Sequence, residues 1–249
     1  SNCSKRTVEQ AVIKHFADRD GAPDVTLFDG KSQELNFVLG AKAENIETGK
    51  LYFDVLDATD STVVLCACDG DKALKLSYRL GADYLLHLDM SCSGLSGLFA
   101  ANDARMEGLW KDVCRQQEKG FTFENRYATL TWHKAGGGTD YLNETREKRD
   151  EPIEDETDWI AFKNQFFSAV MITGENFKSG GLVSSVPQEK GSGFLKAYDA
   201  RLVRSFNAAD GELTQFEFYY GPNDFRLLQR VEGESTLGKN LELERLVWL

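Results

Sequence analysis

Residues 159–172 read WIAFKNQFFSAVMI, the most aromatic stretch of the chain, and they follow the charged run ETREKRDEPIEDETD at 144–158. A membrane span, a core helix and a core strand would each account for such a segment differently. A span needs about 20 apolar residues, and this stretch is shorter and carries Lys163, Asn164 and Gln165 at its centre. Alternate positions read Ile160, Phe162, Asn164, Phe166, Ser168, Val170 and Ile172, while helical spacing finds Trp159, Phe162, Phe166 and Val170. Periodicity alone does not choose between strand and helix. The aromatic and β-branched content favours a strand, with a bulge near Lys163–Gln165.

The surroundings point the same way. In LKLSYRL (74–80), Leu74, Leu76, Tyr78 and Leu80 face opposite to Lys75, Ser77 and Arg79. Across Gly81-Ala82-Asp83, YLLHLDM (84–90) sets Tyr84, Leu86, Leu88 and Met90 against His87 and Asp89. Two period-2 runs joined by a short Gly-containing turn read as a hairpin with one buried face. TQFEFYY (214–220), LYFDVL (51–56), STVVLCAC (61–68), ATLTWH (128–133) and FLKAYDARLV (194–203) are further strands. Such closely spaced runs, punctuated by Gly, Asp and Asn, predict an all-β, mainly antiparallel sandwich rather than βαβ units. Two helices are expected. WKDVCRQQEKG (110–120) groups Trp110, Val113, Cys114 and Gln117, with Gly120 near its end. GPNDFRLLQRVEG (221–233) has Pro222 at a first helical position, a Phe225/Leu228/Val231 stripe, and Gly233 after it.

The 249 residues carry 41% hydrophobic side chains, enough for a sizeable core, and are read as one domain spanning 1–249. The net charge of −11 argues against nucleic acid and, for the average surface, against anionic lipid. Ser1-Asn2, with no initiating Met and no signal segment, reads as a cloning remnant, so a fragment of a longer protein is expected.

Chemistry is sparse. Nucleophile-elbow, phosphate-loop, metalloprotease and dinucleotide motifs are absent from the sequence. The five cysteines, Cys3, Cys66, Cys68, Cys92 and Cys114, follow no disulfide framework. Cys66 and Cys68 point the same way from a strand, so they read as unbridged small fillers rather than half of a metal site. Of His15, His87 and His133, the last two fall on polar strand faces; they read as solvent-facing or rim residues, or as an acid/base pair. The run 144–158, with eight acids against three bases, reads as a solvated loop that also shields its sticky neighbour from aggregation. The C-terminal LELERLVWL (241–249) ends on Leu246, Val247, Trp248 and Leu249, read as a last core strand or helix stub, or as a membrane-proximal or interface segment.

Several stretches, in order, resemble one family: VEQAVIKHF (8–16), LSYRLGADYLLHLDM (76–90), QQEKGFTFENRYATL (116–130), WIAFKNQFFSAVMI (159–172) and FYYGPNDFRLL (218–228). They are similar to the large periplasmic domain of the gram-negative YidC membrane-protein insertase, across nearly the whole chain. WIAFKNQFF followed about fifty residues later by YYGP is the most specific pair. The resemblance implies a β-supersandwich of galactose-mutarotase-like type with a few short helices, on the periplasmic face of the bacterial inner membrane. It implies no enzyme activity, catalytic residue, metal or cofactor, and names Sec translocase subunits and nascent membrane proteins as partners. The alternatives are a mutarotase-like carbohydrate-binding or carbohydrate-modifying domain, which needs His87 and His133 to converge with a carboxylate in one groove, and a chaperone-like apolar groove.

Overall fold

The computed structural model describes residues 10–17, 21, 23–100, 104–142 and 145–247. In chain order the strands begin with β1 (Gln10–Ala17), β2 (Pro23–Asp29), β3 (Gln33–Leu39), β4 (Ile46–Glu47), β5 (Asp54–Ala58) and β6 (Thr62–Asp69). There follow β7 (Lys72–Leu80), β8 (Leu85–Ser93), β9 (Arg105–Arg115), helix α1 (Phe121–Tyr127), β10 (Thr129–Lys134), β11 (Thr139–Leu142) and β12 (Lys148–Ile153). The chain continues through β13 (Thr157–Lys163), β14 (Phe167–Phe177), β15 (Gly181–Pro187), β16 (Phe194–Ser205), β17 (Leu213–Pro222) and helix α2 (Phe225–Glu234), and closes its described part with a 3-10 turn at Leu243–Val247.

Two sheets face each other. One has nine strands in the order β11-β10-β13-β14-β17-β8-β7-β6-β5, the other six in the order β12-β15-β16-β9-β3-β4, and β1 and β2 form a separate hairpin. Every pairing is antiparallel. The all-β sandwich expected from the alternation is therefore what forms. Its main core lies between the sheets, where Trp110 stacks on Phe162 with ring centroids 4.0 Å apart and Phe37 stacks on Phe216 at 4.9 Å.

The quoted stretch is two strands, not one bulged strand. Lys163 ends β13 and Phe167 opens β14, and the chain reverses between them. The Asn164 side chain accepts hydrogen bonds from the backbone N–H groups of Phe166 and Phe167, at 3.0 and 2.7 Å. An Asn that binds the backbone two and three residues on makes a turn where a bulge was expected. The reason for the mixed periodicity is also visible: β13 is buried along its whole length. Ile160 and Phe162 point into the sandwich, while Trp159 and Ala161 belong to a second core on the opposite face of the nine-stranded sheet. A strand covered on both faces has no polar side to alternate.

The C-terminal segment supplies that cover. Leu227, Leu228 and Val231 of α2, with Leu241, Leu243 and Leu246, pack on Trp159, Val170, Ile172 and Tyr219. Helix α2 is capped by Asp224, whose side chain accepts from Leu227 N at 2.8 Å; Pro222 ends β17 instead of starting the helix, and Gly233 lies inside it. The 110–120 helix is a correction. Residues 110–115 belong to β9, where Trp110, Asp112 and Cys114 alternate into the sandwich, and the helix begins after Gly120. Being central, between β16 and β3, β9 needed only one apolar face to fix it. The acidic run is likewise no loop in its middle: residues 148–153 are β12, an edge strand of the small sheet, where charged side chains discourage further pairing.

Cys66 and Cys68 form a disulfide, against the sequence reading. Their Cα atoms are 5.6 Å apart, so two residues on one strand face fall within the span a disulfide tolerates. Cys92 and Cys114 are buried free thiols.

Candidate functional site

The nine-stranded sheet carries one transverse row of interest on its outer face. His133, Trp159, Ile172, Glu217 and His87 are successive cross-strand partners on β10, β13, β14, β17 and β8. Both histidines are on the face opposite the main core, as the alternation requires. Neither reaches solvent: His87 is 5% exposed and His133 1%. The correction has a simple cause, since the C-terminal segment covers that face.

Each histidine has its own carboxylates. His133 Nδ1 is 2.8 Å from Asp158 Oδ1 and its Nε2 is 3.0 Å from Glu242 Oε2. The ring lies parallel to the indole of Trp159, 9° between planes. Burial alone would lower the imidazole pKa, but the hydrogen bonds and charges of Asp158 and Glu242 outweigh it and raise it above the ordinary value. Glu242 is held down at about 2, first by Arg245 and then by His133. His87 Nδ1 stands 3.0 Å from Glu217 Oε1, a close approach that lacks hydrogen-bond alignment. Glu217 Oε1 accepts instead from the N–H and hydroxyl of Thr236, at 2.8 and 2.9 Å.

This row fastens the cover to the sheet. His133 reaches Glu242, the Trp159 indole donates to the Leu241 carbonyl at 2.7 Å, and Glu217 receives Thr236. The two histidines are four inter-strand steps apart, about 19 Å, with Leu227, Leu228 and Val231 among the side chains filling the face between them. They do not converge on one groove. Sequence reasoning missed Asp158, Glu217 and Glu242 as partners. The His133–Glu242 contact joins positions 109 residues apart, and no local signal marks it.

A second polar group lies between the sheets. Burial pushes Asp112 up to about 7, and buried Lys196 donates to the Ala128 carbonyl at 2.6 Å; on the outer face of the large sheet, burial holds Lys163 down at about 8. Beside Asp112 is a cavity of about 20 Å³, room for one water. A larger hollow of about 280 Å³ opens on the small sheet, with the Lys111–Asp199 pair, Arg149 and Asp150 in its wall. Ligand pockets usually run from about 300 Å³ upward. Among the described residues no group of three or more His, Cys, Asp or Glu is arranged to hold a metal.

Of the four C-terminal candidates, Leu246 is fully buried in the second core and Val247 packs against it, partly buried. Trp248 and Leu249 lie outside the described residues.

The two most specific motifs touch each other. The Asn223 side chain donates to the carbonyls of Asn164 and Gln165, at 3.3 and 3.4 Å, and accepts from the Ser168 hydroxyl at 2.6 Å. The NQ turn of WIAFKNQFF is thus held by the Asn of YYGPND. The model of the YidC periplasmic domain matches residues 6–246. The chain belongs to the YidC periplasmic-domain family. The membrane protein insertase YidC of Phocaeicola vulgatus is 39% identical over 96% of the chain and 38% of its own length. That of Bacteroides fragilis is 33% identical over 97% and 39%, and that of Porphyromonas gingivalis 27% over 97% and 39%. The chain therefore spans under two-fifths of these YidC relatives. Among solved structures, a GalM/aldose epimerase homologue from C. elegans superposes with a TM-score of 0.42 at 11% identity, over 86% of this chain and 92% of that one. No helix among the described residues is long and apolar enough to cross a membrane.

Proposed function

We propose that this domain works without catalysis at the periplasmic face of the bacterial inner membrane, assisting membrane-protein insertion through contacts with Sec translocase subunits or nascent chains. Family membership supplies the setting. The observation that carries the reading is the sealed outer face: the surface bearing both histidines is packed by the chain's own C-terminal segment. A mutarotase-like reaction would need that face open and its histidines together.

Contacts with other proteins then fall to exposed edges and rims. Strand β5 is exposed along its whole length at one edge of the large sheet, and β12 lines an edge of the small one. Photocrosslinkers placed at Val55, Leu56 and Glu151 in the full-length protein should capture translocase subunits or nascent chains in cells. Capture of neither, together with an unchanged complex composition after deletion of the domain, would remove the partner role.

A further inference from the structure

Exposed rings gather at one end of the nine-stranded sheet. Helix α1 leads into β10 there and presents Phe123 and Tyr127, 53% and 39% exposed. The β13–β14 turn presents Phe166, the start of α2 presents Phe225, and the β7–β8 turn presents Tyr84 beside Leu80. Of the eight exposed aromatic rings among the described residues, these are five, and a sixth, Phe16, meets Phe167 edge-on at the same end. The register places them together, because Thr129 pairs with Lys163, Phe167 with Pro222, and Tyr219 with Leu85. From β10 to β7 the rim crosses five inter-strand steps, about 24 Å.

The rings stand on separate turns and helices along the rim, with Phe123 and Tyr127 alone sharing one element. That differs from the contiguous apolar patch a protein partner covers, and it matches the way aromatic side chains anchor at a membrane interface. They are also held in place: Tyr84 packs edge-on against buried Tyr219, and Phe123 leans on Tyr127. Charge separates this rim from the rest of the surface. Residues 79–84, 118–127, 164–166 and 223–230 hold five cations, Arg79, Lys119, Arg126, Arg226 and Arg230, against four acids, one of them the buried Glu124. The chain as a whole is −11. The low affinity for anionic lipid expected from the average surface therefore does not describe this end.

We infer that this rim rests on the surface of a phospholipid bilayer containing anionic headgroups, with Phe123, Phe166 and Tyr84 among the rings entering the interface. The orientation would set the long axes of the sheet strands across the membrane plane and leave both sheet edges free for protein contacts. The inference stands apart from the translocase reading, because its test contains lipid alone.

Phe166→Trp supplies a reporter in the chain, whose other tryptophans can be subtracted with the unsubstituted protein. With vesicles of phosphatidylethanolamine and phosphatidylglycerol, the added indole should shift to the blue and be quenched by lipids brominated near the headgroup end of the acyl chain. Phosphatidylcholine vesicles should bind more weakly, and added salt should weaken the phosphatidylglycerol arm. F123S combined with Y84S should lower partitioning at least tenfold, while Y52S combined with L213S, exposed sites at the opposite strand ends, should leave it unchanged. Circular dichroism and thermal melting check that both double variants fold. No quenching of the reporter, equal loss in both variants, repulsion by phosphatidylglycerol, or a rim that captures apolar peptides while ignoring vesicles would each overturn the inference.

Discussion

At the scale of single residues, His133 and Gly221 carry the sharpest consequences. The imidazole of His133 sits between Asp158 of the sheet and Glu242 of the cover, with its pKa raised. A raised folded pKa means that the protonated form stabilises the fold; that contribution is complete below the unfolded value of about 6.5 and fades as pH rises through the folded value. His133→Gln should therefore cost about 1–3 kcal/mol in acid, measured by urea unfolding at pH 5.5, and the difference should shrink at pH 8.5. A constant difference across that range would mean the ring acts by packing alone. Gly221 has a different constraint: a Cβ there would lie 2.5 Å from the Tyr219 ring. Gly221→Ala should lower the unfolding free energy by about 1–3 kcal/mol, read as an earlier urea midpoint with an unchanged slope.

At the scale of elements, the β13–β14 hairpin and the start of α2 are one unit joined by Asn223. Removing its side chain strands two carbonyls and the Ser168 hydroxyl. Asn223→Ala should cost about 1–3 kcal/mol, and a double-mutant cycle with Ser168→Ala should show coupling of at least about 0.5 kcal/mol. Additive losses would mean that the two motifs are merely neighbours. Most elements were legible in the sequence. The hairpin of β7 and β8 is legible because its inner face, with Leu74, Leu76, Leu88 and Met90, lies in the main core while Lys75, Ser77, His87 and Asp89 keep the opposite face polar. The segment 159–172 was ambiguous because both of its faces are covered, which erases the polar half of the pattern. The 110–120 stretch misled because Trp110, Val113 and Cys114 satisfy helical spacing by coincidence, while the partners that make β9 a central strand come from distant β3 and β16. The His133 contacts were invisible for the same reason: pairing across 25 and 109 residues leaves no local trace.

At the scale of the molecule, a two-sheet sandwich has added a third layer from its own C-terminal segment, and that layer decides what the outer face can do. With α2 and Leu241–Leu246 seated on Trp159 and Ile172, the histidine row fastens the cover and cannot line a substrate groove. Titration with glucose or galactose should accordingly leave tryptophan fluorescence and the His133 ring resonances unchanged; a saturable shift would reopen the carbohydrate reading. Trp159→Phe keeps much of the packing but leaves the Leu241 carbonyl without its indole donor, and should loosen the cover before the sandwich.

The most direct test of the sealed face is residue-resolved hydrogen exchange at neutral pH. If the account is right, amides of Leu227, Leu228 and Val231 exchange as slowly as those of Trp159, Ile160 and Ile172, all through the same cooperative opening, and Trp159→Phe accelerates the first group more than the second. If the helix amides instead exchange orders of magnitude faster while the strands stay protected, the segment is a loosely held flap and the outer face is open to ligands.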